Sequence, residues 1–346
     1  MKSDQAYTGV RLRAMRTAVQ LWFILVSVWM GWDLYRFVLQ FERPGSPFVD
    51  RPSGVDAFLP ISGLMSLKVW LASGAIEPLH PAALIVFLAA IAVSLVFRKS
   101  FCGWICPVGT VSEWLWKGGR KLIGRNLVIA QALDVALRAI KYFIMAAFIF
   151  FTWIVMSATI LLLFFMSDYY NTTDVRMLQF FMDLSATAVI VLGSLAVLSV
   201  LYKNFWCRYL CPYGALLGLA GLLSPFRISR DPDRCTGCRS CTRACPALIE
   251  VHEAAEVNSP ECIGCLTCVS RCPEEGALLM SFRVGRLKRR SRALGLAFPA
   301  LVVLAFYLVL ALGVVTDNWH SKIAREEYQR ILGPTQGSAT PGNYSR

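Results

Sequence analysis

Apolar residues in this chain come in long unbroken blocks, not at the spacings that mark half-buried helices or strands. Uncharged runs of 18 or more residues read as membrane-spanning helices, because about 20 residues at about 1.5 Å rise cross the hydrocarbon layer. Five such segments are predicted: Thr17–Gln40, Pro78–Phe97, Tyr142–Ser167, Leu184–Tyr202 and Ala293–Thr316. Only the first contains charges, Asp33 and Arg36, spaced to form an ion pair near one end. A charge at a helix centre costs about 2.5–3.5 kcal/mol on insertion, so their absence elsewhere is the mark of lipid-facing helices. No small-residue cleavage site follows the first run, which therefore reads as a retained helix. The shorter apolar stretch Ala57–Leu67 cannot span and suits an interfacial or re-entrant segment.

Composition agrees with this picture and adds an orientation. The 346 residues are 56% hydrophobic and 16% charged, with a mean hydropathy of +0.53, which excludes a disordered chain and an ordinary soluble enzyme. The net charge of +13 is not spread evenly. The segments before helix 1, between helices 2 and 3, and between helices 4 and 5 hold 26 Lys and Arg against 11 acidic residues; the remainder holds 9 against 11. Basic loops stay inside. The sequence thus places a multi-pass chain in a bacterial inner membrane, with a cytoplasmic N-terminus and a periplasmic C-terminus. The basic charge then reports topology and lipid headgroups as partner, with no nucleic acid. The run Arg283–Arg292 anchors the start of helix 5 at the anionic leaflet. After Pro107 an amphipathic stretch places Trp114 and Trp116 for the interface and Lys117, Arg120 and Lys121 for headgroups.

Twelve cysteines carry the candidate chemistry, while three histidines are too few for a multi-haem protein. Eight cysteines form two copies of C-x2-C-x2-C-x3-C-P, offset by 27 residues: Cys235, Cys238, Cys241 and Cys245, then Cys262, Cys265, Cys268 and Cys272. Three thiolates on such a loop can wrap one [4Fe–4S] cube, while the Pro-linked fourth reaches the other cluster. The predicted sets are Cys235, Cys238, Cys241 and Cys272 for one cluster, and Cys262, Cys265, Cys268 and Cys245 for the other. Gly237 and Gly264 leave backbone room beside them. Zinc sites pair C-x2-C units without the fourth position, and disulfides are disfavoured on the cytoplasmic side. Glu250, His252, Glu253 and Glu256 in the linker read as a solvated face.

The last four cysteines form a second repeat, offset by 105 residues: FRKSFCGWICPVGT and YKNFWCRYLCPYGA. Each copy follows a predicted spanning helix, and Pro107 and Pro212 suit the first position of a following helix. The chain so reads as two tandem helix pairs related by an axis along the membrane normal. Spacing leaves three roles open for Cys102, Cys106, Cys207 and Cys211: joint ligation of a third metal or iron–sulfur centre, redox-active or metal-relaying thiols, or structural cysteines. The expected fold is an all-α polytopic membrane protein of about five helices with an inserted α+β ferredoxin domain of two [4Fe–4S] clusters. Its segments are a cytoplasmic N-terminus (1–16), the first helix pair (17–123), the second (124–230), the ferredoxin domain (231–282), a basic linker with the fifth helix (283–316) and a periplasmic tail (317–346).

FCGWICPVGT, CRYLCPYG and the doubled cluster motif together resemble the NapH/NosR-type membrane polyferredoxins over roughly residues 15–282. That resemblance implies electron transfer between the quinone/quinol pool and partner redox proteins, such as another iron–sulfur protein, a cytochrome c or a periplasmic reductase. It implies an electron-transfer subunit of an oxidoreductase complex, a quinol dehydrogenase serving a respiratory reductase. The fifth helix is shared with FixG/CcoG-type proteins, so a copper-reducing assembly factor for a respiratory oxidase stays open, as does a non-catalytic anchor for another iron–sulfur subunit. Helix 5 and its tail depart from NapH-like chains, and NosR-like chains carry a large N-terminal flavin domain that the roughly 16 residues before helix 1 do not supply. For a quinol, the first outer loop offers Lys68, Glu77 and His80 to accept or orient protons.

Overall fold

A computed structural model describes residues 2–42, 47–284 and 287–332. Helix α1 (Lys2–Glu42) begins well before the predicted span, and its apolar part runs Gly9–Phe41. Asp33 and Arg36 pair at 3.6 Å, one turn apart. The outer loop folds as a 3-10 turn (Ser53–Phe58) and α2 (Pro60–Ser73), so the short apolar stretch is a helix lying on α3 (Pro81–Phe97). Close packing follows from small residues: a Cβ on Gly63 would stand 2.8 Å from the Ala83 carbonyl oxygen. Helix α3 is the buried axis of the bundle, flanked by α2, α10 (Pro212–Leu222) and α13 (Arg292–Val315).

The third predicted span needs correction. Helix α5 starts at Gln131, winds into a π turn over Phe151–Val155, and stops at the extended residue Met156. Ser157 then caps a separate helix, α6 (Ala158–Phe165). Asp134, Arg138 and Lys141 lie within this helix; Asp134 is paired with Arg138 and Arg208 and Lys141 with Glu261, and pairing offsets much of the cost of their charge. Short helices α7 (Asp168–Asn171) and α8 (Thr173–Met182) lead into α9 (Ala186–Leu201) through an 80° bend. Among the described residues, α1, α5 with its π turn, and α13 are long and apolar enough to cross a membrane, with α8–α9 a fourth if the bent pair is one span. Helix α3 is apolar throughout but 17 residues long.

Helix α4 (Pro107–Ile123) is amphipathic as predicted, yet of its two tryptophans only Trp114 is exposed. Trp116 is buried at 5% exposure, because α4 packs so tightly on α9 that a Cβ on Gly119 would overlap the Val200 carbonyl. After α10 comes the ferredoxin domain. Its antiparallel sheet has the order β2-β1-β3-β4, with β1 Phe226–Arg230, β2 Glu256–Val257, β3 Leu278–Val284 and β4 Leu287–Arg290. Two short helices, α11 (Ser240–Ala244) and α12 (Thr267–Ser270), follow its cysteine loops. The basic run before α13 is thus largely a sheet edge, with Arg290 near Asp231 and Arg292 paired to Glu275. The domain is not tethered loosely. Phe226 on β1 meets Phe97 at the end of α3 (5.1 Å between centroids) and Phe298 near the start of α13 (5.7 Å), inside one apolar core that runs from bundle to sheet. The described part of the tail includes α14 (Arg325–Leu332), whose Tyr328 ring stands edge-on to Phe37 and stacks on Phe41 of α1. Its remaining stretch, 333–346, lies outside the described residues.

Candidate redox sites

The two ferredoxin loops share one backbone conformation, 27 residues apart. Gly237 and Gly264 both have positive φ, at 69° and 56°. Arg239 and Leu266 both sit at φ 57° and ψ 11° before α11 and α12. This left-handed turn folds the chain back so that three sulfurs face one point. Cys235, Cys238, Cys241 and Cys272 line one cavity; Cys245, Cys262, Cys265 and Cys268 line another, walled by Ile228, Val251, Val257 and Leu266. The fourth cysteine of each motif is therefore placed with the other motif's three. We term the second cavity proximal, because it rests on the helices, and the first distal.

Electrostatics differ between the two. Burial, reinforced by neighbouring cysteines, pushes Cys245 up to about 12 and raises Cys268 as well. At the distal site Cys238 is exposed, and hydrogen bonds from Ser240 lower its pKa. Four thiolates crowded in an apolar cavity repel one another unless a cation joins them. The proximal four cysteines, within apolar walls, fit an iron–sulfur cluster, and so do the distal four, in a cavity that Arg230, Thr236, Arg239, His252 and Glu274 also line.

The C-x3-C-P motifs also share a conformation. Phe101–Ile105 and Trp206–Leu210 are each one π-helical turn, closed by Cys106 N–H to Phe101 O (2.9 Å) and Cys211 N–H to Trp206 O (3.0 Å). π turns recur at functional sites because they re-aim side chains. Pro107 and Pro212 then open α4 and α10, as the sequence implies. Gly214 N–H donates to Cys211 Sγ at 3.2 Å, and Val108 and Gly109 N–H groups face Cys106. All four cysteines lie within electrostatic reach of one another, with buried Lys99 beside Cys102, Cys207 and Cys211. Cys102, Cys207, Lys99 and Glu261 share a cavity whose remaining wall includes Pro246, Ala247 and Ile263, neighbours of the proximal ligand candidates Cys245 and Cys262. Glu261 also binds the fully buried Lys141 at 2.5 Å.

Each edge motif grips one strand of the proximal site. From the first, Trp104 Nε1 donates to Gly264 O (3.0 Å) and Arg98 Nη2 to Ser259 O (2.9 Å). A Cβ on Gly103 would stand 2.6 Å from Ile263 O, and one on Gly264 would stand 2.4 Å from Ser100 Oγ. The room left by Gly264 is therefore used by the helix bundle. From the second motif, Lys203 Nζ donates to Arg243 O (3.1 Å) and Cys245 O (3.3 Å), and Arg208 Nη1 to Ala247 O (2.5 Å). Arg208 is itself fixed by two bonds of 2.8 Å to Asp134. At the matching position of the first motif stands Gly103, whose carbonyl accepts from Arg16 of α1, and Arg16 also pairs with Glu113.

The three outer-loop candidates do not form one site. Lys68 caps the end of α5, donating to Thr152 O, Trp153 O and Met156 O. Glu77 and His80 are buried together. Glu77 accepts from the N–H groups of Leu79 and His80 and from Tyr170 Oη (3.2 Å). His80 Nδ1 meets Asp56 Oδ1 (3.0 Å) and its Nε2 meets Tyr170 O (2.9 Å). Arg51 completes this network, bonded to Asp56 and Asp174.

A family model described as a 4Fe-4S binding domain matches residues 79–126 and again 184–230, one copy over each edge motif. A second, described as a 4Fe-4S dicluster domain, matches residues 227–273. The putative electron transport protein YccM of Escherichia coli is 37% identical over 319 residues, covering 92% of this chain and 89% of that protein. Protein NirI of Paracoccus denitrificans is 31% identical over 46% of this chain and 24% of its own length. The ferredoxin-type protein NapH of Haemophilus influenzae is 29% identical over 48% of this chain and 55% of its own. The chain belongs to the NapH/NosR-type polyferredoxins. No solved structure matches it.

For this polyferredoxin, the cysteine motifs were legible, whereas the polar residues that join them were not. Lys141 had a signal: a lysine flanking an apolar run needs a buried partner or an aqueous exit. Arg98 and Lys203 were visible as the basic position that opens both motifs. Nothing local marked Glu261 or Arg16, whose partners Lys141 and Glu113 lie about 90 or more residues away; Glu113 has a nearby mate in Lys117, but that spacing did not point to Arg16.

Proposed function

We propose that this polyferredoxin relays electrons between a membrane quinol and a partner redox protein, in service of a respiratory reductase. One observation carries the reading: the cavity lined by the edge cysteines Cys102 and Cys207 shares its wall with the segments that bear the proximal cysteines. On this reading Cys262, Cys265, Cys268 and Cys245 hold the proximal [4Fe–4S] cluster and Cys235, Cys238, Cys241 and Cys272 the distal one. Cys102, Cys106, Cys207 and Cys211 jointly hold a third centre, with Lys99 offsetting its negative charge. Such groups supply one-electron transfer when bound. A quinol gives up two electrons and two protons, and an oxidised partner protein takes up the electrons. Glu77 and His80, joined through Tyr170, are the better placed of the proton-handling candidates, since Lys68 is committed to carbonyl oxygens. The topology that fits is an inner-membrane chain of two parallel helix pairs and a fifth helix, with the ferredoxin domain cytoplasmic and exposed Cys238 marking the partner's side.

Anaerobic purification with iron counting and EPR, before and after a menaquinol analogue, tests this. Two four-iron clusters give about eight irons per chain, and a third centre raises the count. The expected result is more than eight irons and reduction of EPR-visible clusters by the quinol. Iron well below eight sinks the cluster assignment. Clusters that remain oxidised with quinol and partner present sink the quinol role.

A further inference from the structure

The basic residue that opens each C-x3-C-P motif has no part in the relay as described so far. The two copies, Arg98 and Lys203, stand 105 residues apart, yet both reach the same ferredoxin site. Arg98 is held at φ 63° and is 1% exposed, an expensive place for a charge. Its Nη2 is satisfied by Ser259 O, while among the described residues Nε and Nη1 find no conventional acceptor; the guanidinium lies beside Cys262. Half-buried Lys203 comes from the second motif. Its ammonium sits on the Cys245 carbonyl, near the Cys245 sulfur, and is backed by the Trp116 ring at 5.5 Å. One cation thus faces Cys262 and the other Cys245. At the distal site Arg234, Arg239 and Arg243 are exposed, where water and salt screen them, and half-buried Arg230, which also lines that cavity, donates its Nε to Ala254 O; none of the four is buried as Arg98 is.

We infer that Arg98 and Lys203 are positioning residues that hold the reduction potential of the proximal site above that of the distal site. A thiolate-bound cluster is an anion whose negative charge grows on reduction. A fixed cation in a low-dielectric wall stabilises the reduced form more than the oxidised form. The uncompensated Arg98 nitrogens are accounted for on the same terms, since the charge they lack is the one the site acquires when loaded. The first electron to arrive then settles at the proximal site, in contact with the membrane motifs. This inference rests on the cluster reading of the eight cysteines and deepens it.

The test is an anaerobic EPR-monitored redox titration of the full chain, with Cys238→Ser used to identify the distal signal. Arg98→Met is expected to lower the reduced-to-oxidised ratio of the proximal cluster about tenfold at the wild-type midpoint, equivalent to about 59 mV for one electron. Lys203→Met shifts it in the same direction by a smaller factor, and Arg98→Lys recovers most of the loss. The distal midpoint stays in place. If Arg98→Met loses iron, Lys203→Met and Arg98→Lys carry the test by themselves. Equal shifts at both clusters, or no shift with wild-type iron content, overturn the inference. Wild-type protein without clusters overturns the cluster reading and this inference with it.

Discussion

The two ferredoxin sites are near copies that ended in different surroundings. Their loops have the same spacing and the same left-handed turn, yet the distal one is open at Cys238 and the proximal one is gripped by both edge motifs. Position by position, the difference is in what each loop touches. Glu261 precedes the proximal loop and binds buried Lys141 of α5. Its counterpart Arg234 is 64% exposed and stands 3.7 Å from Asp231. Two loops of one conformation thus end differently: docking on the helices covers one and leaves the other with Cys238 exposed.

The contrast is broken most severely at Glu261. Glu261→Ala strands Lys141 in the interior and is expected to cost about 3–5 kcal/mol, seen as a lower Tm in detergent. Arg234→Ala should stay within about 0.5 kcal/mol. Equal losses would mean that the proximal loop is not anchored through this pair. A smaller effect is expected from the glycines. Gly103→Ala drives a methyl into the Ile263 carbonyl and should destabilise by about 1–3 kcal/mol. Gly237→Ala meets nothing within 4 Å and should cost only the strain of its positive φ, about 1 kcal/mol. The finest difference is kinetic. Treated with an iron chelator, the protein should lose distal iron first, because Cys238 of the distal set is exposed whereas no cysteine of the proximal set is, and Cys245 and Cys268 there are buried. Iron release in a single phase would show that docking gives the proximal site no protection.

Much of this chain could be read directly. Apolar runs located α1, α3, α9 and α13 because lipid imposes the same requirement on every residue of a span. The cysteine spacing predicted the crossed grouping of cysteines that line the two cavities, since a short loop limits which sulfurs can converge. The third span was misplaced for a physical reason: Asp134 and Lys141 look forbidden in an apolar helix until their partners are known. Trp116 was misread likewise, because an amphipathic helix can turn its aromatic face to another helix as readily as to lipid.

By itself the sequence determined the apolar helices, the two repeats and the thiol sets, all of which depend on interactions within a few turns of chain. Only the tertiary structure decided which ferredoxin loop meets the membrane motifs, where Lys141 and Arg98 hide their charge, and that Glu77 and His80 share a network that excludes Lys68. Those outcomes depend on groups far apart in the chain, and a buried charge takes its meaning from its partner.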